Sequence, residues 1–212
     1  MSATDNEFAP HVELVDAFLK AWAGLSAPVQ AERGANAAAL RSRQPVVQRA
    51  YLLLDSWEGN PYALRLEEAF PRWALDRFTV PDPYFKGRED QAPCILELPE
   101  ALIVPGPERA REMCLLRDWL GVCIRNAVEQ MHERLAPQFF CALIISAQSE
   151  QRIARHWAEL GDQQAPHSGK RMLFRYQDPR VMQRIWPALS LEQQAIWLGP
   201  VTQWWALRQP WG

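Results

Sequence analysis

The chain has 212 residues, of which 48% are hydrophobic, so it can bury a sizeable core in a single domain. This composition excludes an intrinsically disordered chain. A formal net charge of -2 gives no overall attraction to nucleic acids or anionic membranes. Nucleic-acid binding through arginine and tryptophan stacking is therefore the least favoured function class.

The N-terminal part of the chain predicts a helical extension over residues 1–44. Apolar residues recur at helical spacing over residues 13–22, and an alanine-rich segment predicts a second helix over residues 29–42. The main domain is then expected to occupy residues 45–212. The apolar face of the first helix consists of Leu14, Val15, Phe18, Leu19 and Trp22.

The main domain alternates strand patterns with helix patterns. Apolar runs predict strands over residues 49–55, 76–80, 94–98, 139–146 and 171–177. Helical periodicity predicts helices over residues 61–70, 107–135, 150–160 and 179–189. Because such helices imply crossover connections, the sequence predicts an α/β fold with a mixed, largely parallel sheet of about four to five strands covered by helices. The run FFCALIIS is the most apolar strand and is expected in the centre of the sheet.

The sequence gives no sign of a metal, a cofactor or a membrane segment. The four cysteines show no CxxC spacing, and no Cys/His cluster has zinc-finger spacing. The N-terminus is acidic and polar, unlike a signal peptide, and no apolar run reaches the roughly 18 residues that span a bilayer. We therefore expect a cytoplasmic protein with reduced thiols and no cofactor.

Sequence motifs for enzymatic chemistry are also missing. The chain contains no GxSxG elbow, no GxxxxGK[ST] phosphate loop and no GxGxxG turn. Catalytic groups can still converge in space without a motif. The alternative function is therefore a small hydrolase or transferase, whose site would lie at the strand C-termini near Asp55, Glu97, His156 and Asp178.

The junction between the last predicted strand and the helix after it is unusually specified. Asp178 is a suitable N-cap, and Pro179 is a suitable first helical residue because no N–H is needed there. Arg180 opposes the helix dipole, so we expect it to have a carboxylate partner elsewhere. We favour a buried or half-buried network, in which Arg175 or Arg180 binds Asp55 or Asp178, over a catalytic pair of carboxylates.

Ten tryptophans are many for a chain of this length, and several crowd its C-terminal end. A final helix would point the adjacent Trp204 and Trp205 about 100° apart, so a small domain cannot bury both indoles completely. Tryptophan and arginine dominate interface hot spots, but a final helix that closes the core explains the pattern equally well. Helical spacing turns Leu198, Val201 and Trp205 inward. The candidate partner-binding residues are Trp197, Trp204, Trp205, Arg208 and Trp211.

Four blocks of sequence occur in the same order as in a known protein family. They are AYLLLDSW, YFKGREDQAPCILELPE, LFRYQDPRV and LSLEQQAIWLGPVTQWW, and together they lie within residues 45–205. In this order, and with the FR and DPRV elements of the third block, they resemble the effector adaptors, or chaperones, of bacterial type VI secretion systems.

The resemblance implies an adaptor that is not an enzyme. Such adaptors bind a cognate toxic effector and help to load it onto the spike protein in the cytoplasm of the producing bacterium. Many members carry a further C-terminal lobe; this sequence stops at Gly212, so we expect that lobe to be absent or reduced and the N-terminal extension to take over part of the binding. The signature positions, which have no catalytic role in the family, match Phe174, Arg175, Asp178, Pro179, Arg180 and Val181, with Asp55 in the first block.

Overall fold

The structure is a computed structural model, and it describes residues 9–34, 46–56, 68, 77–104, 106–131, 138–165 and 167–207. Its strands are β1 (Arg49–Leu54), β2 (Phe78–Thr79), β3 (Cys94–Leu98), β4 (Phe140–Ser146), β5 (Asp162–Gln164), β6 (Arg171–Leu173) and β7 (Gln203–Trp205). Its helices are α1 (Ala9–Gly34), α2 (Ala110–Met131), α3 (Glu150–Gly161), α4 (Pro179–Ile185) and α5 (Leu191–Leu198). Short 3-10 turns lie at Pro83–Phe85, Glu89–Gln91, Glu100–Leu102 and Trp186–Ala188.

The prediction of a largely parallel sheet is wrong. Five strands form the main sheet in the order β2-β3-β1-β4-β7, and every pair of neighbours in the described residues is antiparallel. The expected crossover does exist, because β3 and β4 run in the same direction and α2 lies between them in the chain. However, β1 occupies the position between these two strands and runs the opposite way. The separate β5 and β6 strands also pair antiparallel.

Both faces of the sheet are covered, which explains why its strands are continuous apolar runs. Along β1, Ala50, Leu52 and Leu54 belong to one core cluster, whereas Tyr51 and Leu53 belong to another. This is the alternation expected of a strand. Every residue of β4 is buried. Two-sided covering is typical of parallel sheets, but here an antiparallel sheet is buried in the same way, so the apolar pattern reports burial and not strand direction.

Helices α1 and α2 cover the first face of the sheet. Phe18 and Trp22 of α1 lie in one cluster with Leu120 of α2 and with Leu52 of β1. The Trp22 indole N–H donates to the carbonyl oxygen of Gln48 at 3.0 Å, which joins the helix to the segment before β1. Helix α1 is one continuous helix where the sequence predicts two, and it contributes side chains to the same core as the sheet.

Helices α3, α4 and α5 cover the second face of the sheet. Their apolar residues Trp157, Met182 and Trp197 lie in one cluster with Tyr51 and Tyr176. The ring centroids of Trp157 and Tyr176 are 5.7 Å apart. This face therefore contains a group of large aromatic side chains among its aliphatic residues, and each of them buries much apolar area.

The C-terminal aromatic segment is a strand and not the continuation of a helix. Helix α5 ends at Leu198, with Gly199 as its C-cap, and residues 203–205 form β7, which pairs with β4 at the edge of the sheet. Because side chains alternate along a strand, Trp204 packs against the second face and Trp205 against the first. The Trp204 ring lies 5.3 Å from that of Trp157, and the Trp205 ring lies 6.1 Å from that of Phe18.

Other predicted elements differ mainly in length. The strand predicted over residues 171–177 ends at Leu173, and the helix predicted over residues 179–189 is α4 followed by a 3-10 turn. The helix predicted over residues 107–135 is α2, which is described from Ala110 to Met131. The predicted helix over residues 61–70 and the second half of the predicted helix over residues 29–42 lie outside the described residues.

Removing one buried leucine from β1 tests the core described above. Leu52 is fully buried, so we expect Leu52→Ala to lower the free energy of unfolding by about 2–5 kcal/mol through lost burial and the cavity left behind. Urea denaturation followed by circular dichroism measures the change. The control is Leu191→Ala, since Leu191 is 84% exposed and its loss should change stability by less than about 0.5 kcal/mol. Equal effects of the two variants would contradict this fold.

Candidate functional site

The first half of the site joins the end of β1 to the segment after β6. Asp55 follows β1 directly, and its backbone N–H donates to the carbonyl oxygen of Phe139 at 2.8 Å. Its carboxylate accepts a hydrogen bond from the Arg175 guanidinium. The Asp55 side chain is 1% exposed and that of Arg175 is 25% exposed, so this ion pair is largely withdrawn from water. The pair ties together two segments that are 120 residues apart in the chain.

The second half of the site is the start of α4. The Asp178 side chain accepts from the backbone N–H of Arg180 at 2.9 Å, which is the predicted N-cap, and Pro179 occupies the first turn. The Arg180 guanidinium donates to both oxygens of Asp178, at 2.9 Å and 2.6 Å. These hydrogen bonds raise the pKa of Arg180 above its ordinary value despite burial, so its guanidinium stays protonated. The carboxylate that caps the helix is thus also a partner of Arg180, although it lies only two residues away in the chain.

The two Arg–Asp pairs share one buried environment. Cys141 of β4 is fully buried beside them, and its burial raises the pKa of its thiol well above the ordinary value, with Asp55 and Asp178 adding to the effect. A thiol that stays protonated is a poor nucleophile. The predicted network of Arg175, Arg180, Asp55 and Asp178 is therefore present, and its geometry is that of charge pairing.

The residues of the alternative hydrolase site are not brought together. Glu97 lies opposite Tyr51 near the start of β1 and pairs with Arg49 at 3.1 Å, whereas Asp55 follows the other end of that strand. His156 lies on α3, where its Nε2 donates to the carbonyl oxygen of Trp197 at 3.2 Å. The proposed catalytic set is thus divided among three places in the fold.

An apolar groove of about 610 Å³ lies beside the Arg–Asp pairs. Helix α4 and the 3-10 turn after it form one wall, and the end of α5 with strand β7 forms the other. Three indoles line it, and among the described residues no charged side chain does. The lining residues are Pro179, Met182, Gln183, Trp186, Pro187, Trp197, Leu198, Trp204, Ala206 and Leu207.

Of the six positions expected to form the family signature, Pro179 lies in the groove and Phe174 contacts one of its lining residues. Phe174 is half-buried, and its ring centroid is 5.7 Å from that of Trp197. Pro179 lines the groove itself, and Val181 is half-buried on α4. Of the aromatic candidates, Trp197 is buried in the groove wall and Trp204 is half-buried there.

The remaining partner-binding candidates are Trp205, Arg208 and Trp211. Trp205 faces the opposite side of the sheet, and Arg208 and Trp211 lie outside the described residues. Sequence reasoning missed Met182, Trp186 and Leu207 as groove residues. The DPRV motif gives no hint of them, because the groove lining comes from three separate parts of the chain that meet only there.

The described residues contain neither a candidate metal site nor a membrane-spanning helix. No group of three or more His, Cys, Asp or Glu side chains in these ranges could hold a metal ion. In the same part of the chain, no helix combines the length and the apolar character needed to cross a bilayer.

The sequence matches the family described as "Domain of unknown function (DUF4123)" over residues 50–195, well over half of the 212 residues. The chain belongs to this family. DUF4123 is linked to the effector adaptors of type VI secretion systems. This confirms the expected family relationship to such adaptors. The DUF4123 match includes the Arg–Asp network and α4, and it ends within α5, before β7. No curated protein and no solved structure matches the chain.

The Arg180–Asp178 pair is open to a direct test. Side-chain exposures of 15% and 5% mean that Arg180→Ala leaves a buried carboxylate without its cation, so we expect a loss of about 3 kcal/mol, a lower melting temperature and a lower soluble yield. The control is Arg109→Ala, because Arg109 and Glu112 form an exposed pair worth at most about 1 kcal/mol. An unchanged melting temperature together with lost partner binding would instead make Arg180 a contact residue.

Tyr176 provides a test of the aromatic interior next to the network. Its hydroxyl is buried and has no hydrogen-bond partner among the described residues. We therefore expect Tyr176→Phe to leave the free energy of unfolding unchanged or to raise it by about 1 kcal/mol. In the matched variant Tyr51→Phe, a hydroxyl that donates to the Gln148 carbonyl oxygen at 2.6 Å is lost, and about 1 kcal/mol should be lost with it. If Tyr176→Phe were less stable than Tyr51→Phe, the Tyr176 hydroxyl would have a hydrogen-bond partner and this description of it would be wrong.

The Tyr176 hydroxyl also makes the stability of the protein depend on pH. Burial raises the pKa of Tyr176 well above its ordinary value of 10.0, so the hydroxyl ionises more readily in the unfolded chain than in the folded one. The stability linked to this group is fully present below about pH 10 and decreases as the pH rises further. Denaturation curves above pH 10 should therefore fall less steeply for Tyr176→Phe than for the wild type.

Proposed function

We propose that this protein is a non-catalytic adaptor of type VI secretion that binds a cognate effector and helps to load it onto the spike protein. The observation that carries the proposal is the apolar, three-indole groove beside the family signature. Membership in a family linked to such adaptors supports the same reading. The expected place of action is the cytoplasm of the producing bacterium.

In this proposal, the signature builds the wall of a docking groove. Asp178 caps α4 and holds Arg180, which fixes where α4 begins. Met182 then lies one turn further along this helix and faces the groove. The Phe174 ring packs on Trp197 in the opposite wall. The signature residues thereby set the distance between the two walls of the apolar groove, and they have a structural role and not a catalytic one.

The groove has the chemistry of a protein interface. Tryptophan is the residue type most enriched in binding hot spots, since its indole supplies a large apolar area and loses little conformational entropy. Groove residues of this kind bind apolar side chains of a partner segment. Strand β7, at the edge of the sheet, lies along the same groove. An extended or helical segment of an effector could be held there by apolar anchors and later released.

Trp186→Ala tests this proposal. Trp186 is half-buried and lines the groove, so we expect its removal to weaken effector binding by roughly tenfold or more, as for an interface hot spot. The measurement is co-purification with the tagged full-length chain from a bacterium that encodes it. Mass spectrometry must identify the captured proteins as a toxin and a spike protein of the secretion locus.

Two further variants make this experiment decisive. Ile196→Ala removes an apolar side chain that is 57% exposed on α5 but does not line the groove, so capture should be unchanged. Pro187→Glu places a charge at the exposed rim of the groove and should reduce capture without loss of folding. Capture that is equal for all four proteins would place the effector elsewhere, and a wild type that captures neither toxin nor spike protein would refute the adaptor function.

A further inference from the structure

A second, polar groove of about 570 Å³ lies on the exposed side of α3. Arg152, Arg155 and Glu159 recur there at spacings of three and four, so they share one face of the helix. The opposite face of α3 is buried in the core. His156 and the Gly199–Pro200 connection complete the lining together with Gln148.

The two arginines of this groove are available to a partner. Both are exposed, and among the described residues no carboxylate forms an ion pair with either guanidinium. Glu159 is the single carboxylate in the described lining, so the groove carries a formal excess of one positive charge. This contrasts with the net charge of -2 of the whole chain. A guanidinium presents a planar fork that matches a carboxylate.

The polar groove and the apolar groove are lined by consecutive residues of the chain. Trp197 and Leu198 line the apolar one, and the next two residues, Gly199 and Pro200, line the polar one. The connection from α5 to β7 is thus the boundary that both grooves share. A ligand lying along the apolar groove reaches the face of α3 by crossing this short connection.

The boundary between the grooves is held in one shape. Gly199 has a φ of 52°, which side chains other than glycine rarely adopt. A Cβ at this position would collide with the His156 ring. The His156 Nε2 donates to the Trp197 carbonyl oxygen at 3.2 Å, which anchors the end of α5 to α3. Trp197 of the apolar groove and helix α3 of the polar groove are therefore held at a fixed position relative to each other.

We infer that the effector segment that occupies the apolar groove continues across Gly199 and Pro200 with acidic side chains that bind Arg152 and Arg155. The partner is a polypeptide segment whose apolar anchors are next to Asp or Glu residues. This inference rests on the proposed adaptor function and adds the chemistry that selects the cargo. Charge complementarity at the rim of an apolar interface contributes selectivity and association rate more than affinity.

A polypeptide fits these observations better than a nucleic acid. Nucleic-acid surfaces combine many cations along a track, whereas this groove pairs two arginines with Glu159 and is bordered by uncharged side chains. An acidic peptide needs only a few carboxylates at this point, with the rest of its contacts in the apolar groove.

The experiment is selection of a random peptide library, displayed on phage, against the full-length chain and two charge-reversed forms. The test variant is R152E/R155E, and the control is K86E/R111E, which reverses two exposed cations that line neither groove. Both variants change the net charge equally. Melting curves check that both remain folded, which the exposure of all four side chains favours.

We expect the wild type and the control to select peptides in which Asp or Glu accompanies aromatic and aliphatic residues. R152E/R155E should lose the acidic preference and keep the apolar one. A peptide selected by the wild type should bind R152E/R155E about tenfold more weakly than it binds the control, since two exposed ion pairs become repulsive. Added salt should narrow that difference.

The opposing outcomes separate this inference from the proposed function. Apolar peptides without acidic residues, or acidic peptides that bind R152E/R155E unchanged, would overturn the inference and leave groove docking intact. Failure to select any peptide would overturn the inference, whereas only a lack of captured toxin and spike protein refutes the adaptor function. Homopolymeric RNA that binds the wild type and K86E/R111E but not R152E/R155E would assign the groove to a nucleic acid instead.

Discussion

The buried pairing of two arginines with two aspartates is the constraint on which the apolar groove depends. Asp55 marks the end of the central strand, and Asp178 marks the start of α4. Asp55 binds Arg175 of the segment that joins β6 to α4, and Asp178 binds Arg180 in the first turn of α4 itself. Buried ion pairs add little net stability, because desolvation offsets their attraction. They do penalise any arrangement in which a charge loses its partner. The start of α4, which lies at one wall of the apolar groove, is thereby fixed by electrostatics.

Strand β7 of the sheet contributes Trp204 to the other wall of the apolar groove. Strand β7 is only three residues long, yet its two tryptophans reach both cores, since successive side chains point to opposite faces. Trp204 lines the groove and also packs on Trp157 of α3, while Trp205 packs on Phe18 of α1. The strand that contributes to the groove is therefore held by packing on both faces of the sheet.

Local chemistry predicted the part of this architecture that depends on neighbouring residues. The N-cap at Asp178 follows from the preference of carboxylates for helix starts, and the strand at β4 follows from its apolar run. Strand direction was beyond the sequence, because the partner of β1 on either side is decided by pairing over long separations. Trp204 and Trp205 were placed on a helix because a short apolar segment has no decisive period. The grooves were missed because their linings come together only in the folded chain.

The position of β7 has a consequence for how the protein can be handled. Its partner β4 is seven residues long and wholly buried, and β7 shields the side of β4 that faces away from β1. A chain cut before residue 203 would present that side as a long apolar edge with unpaired N–H and C=O groups, which is a template for intermolecular pairing and aggregation. Strand β7 thus covers the edge of the sheet and also forms part of the groove wall. Versions of this protein that lack β7 are expected to aggregate and precipitate, in addition to losing a ligand.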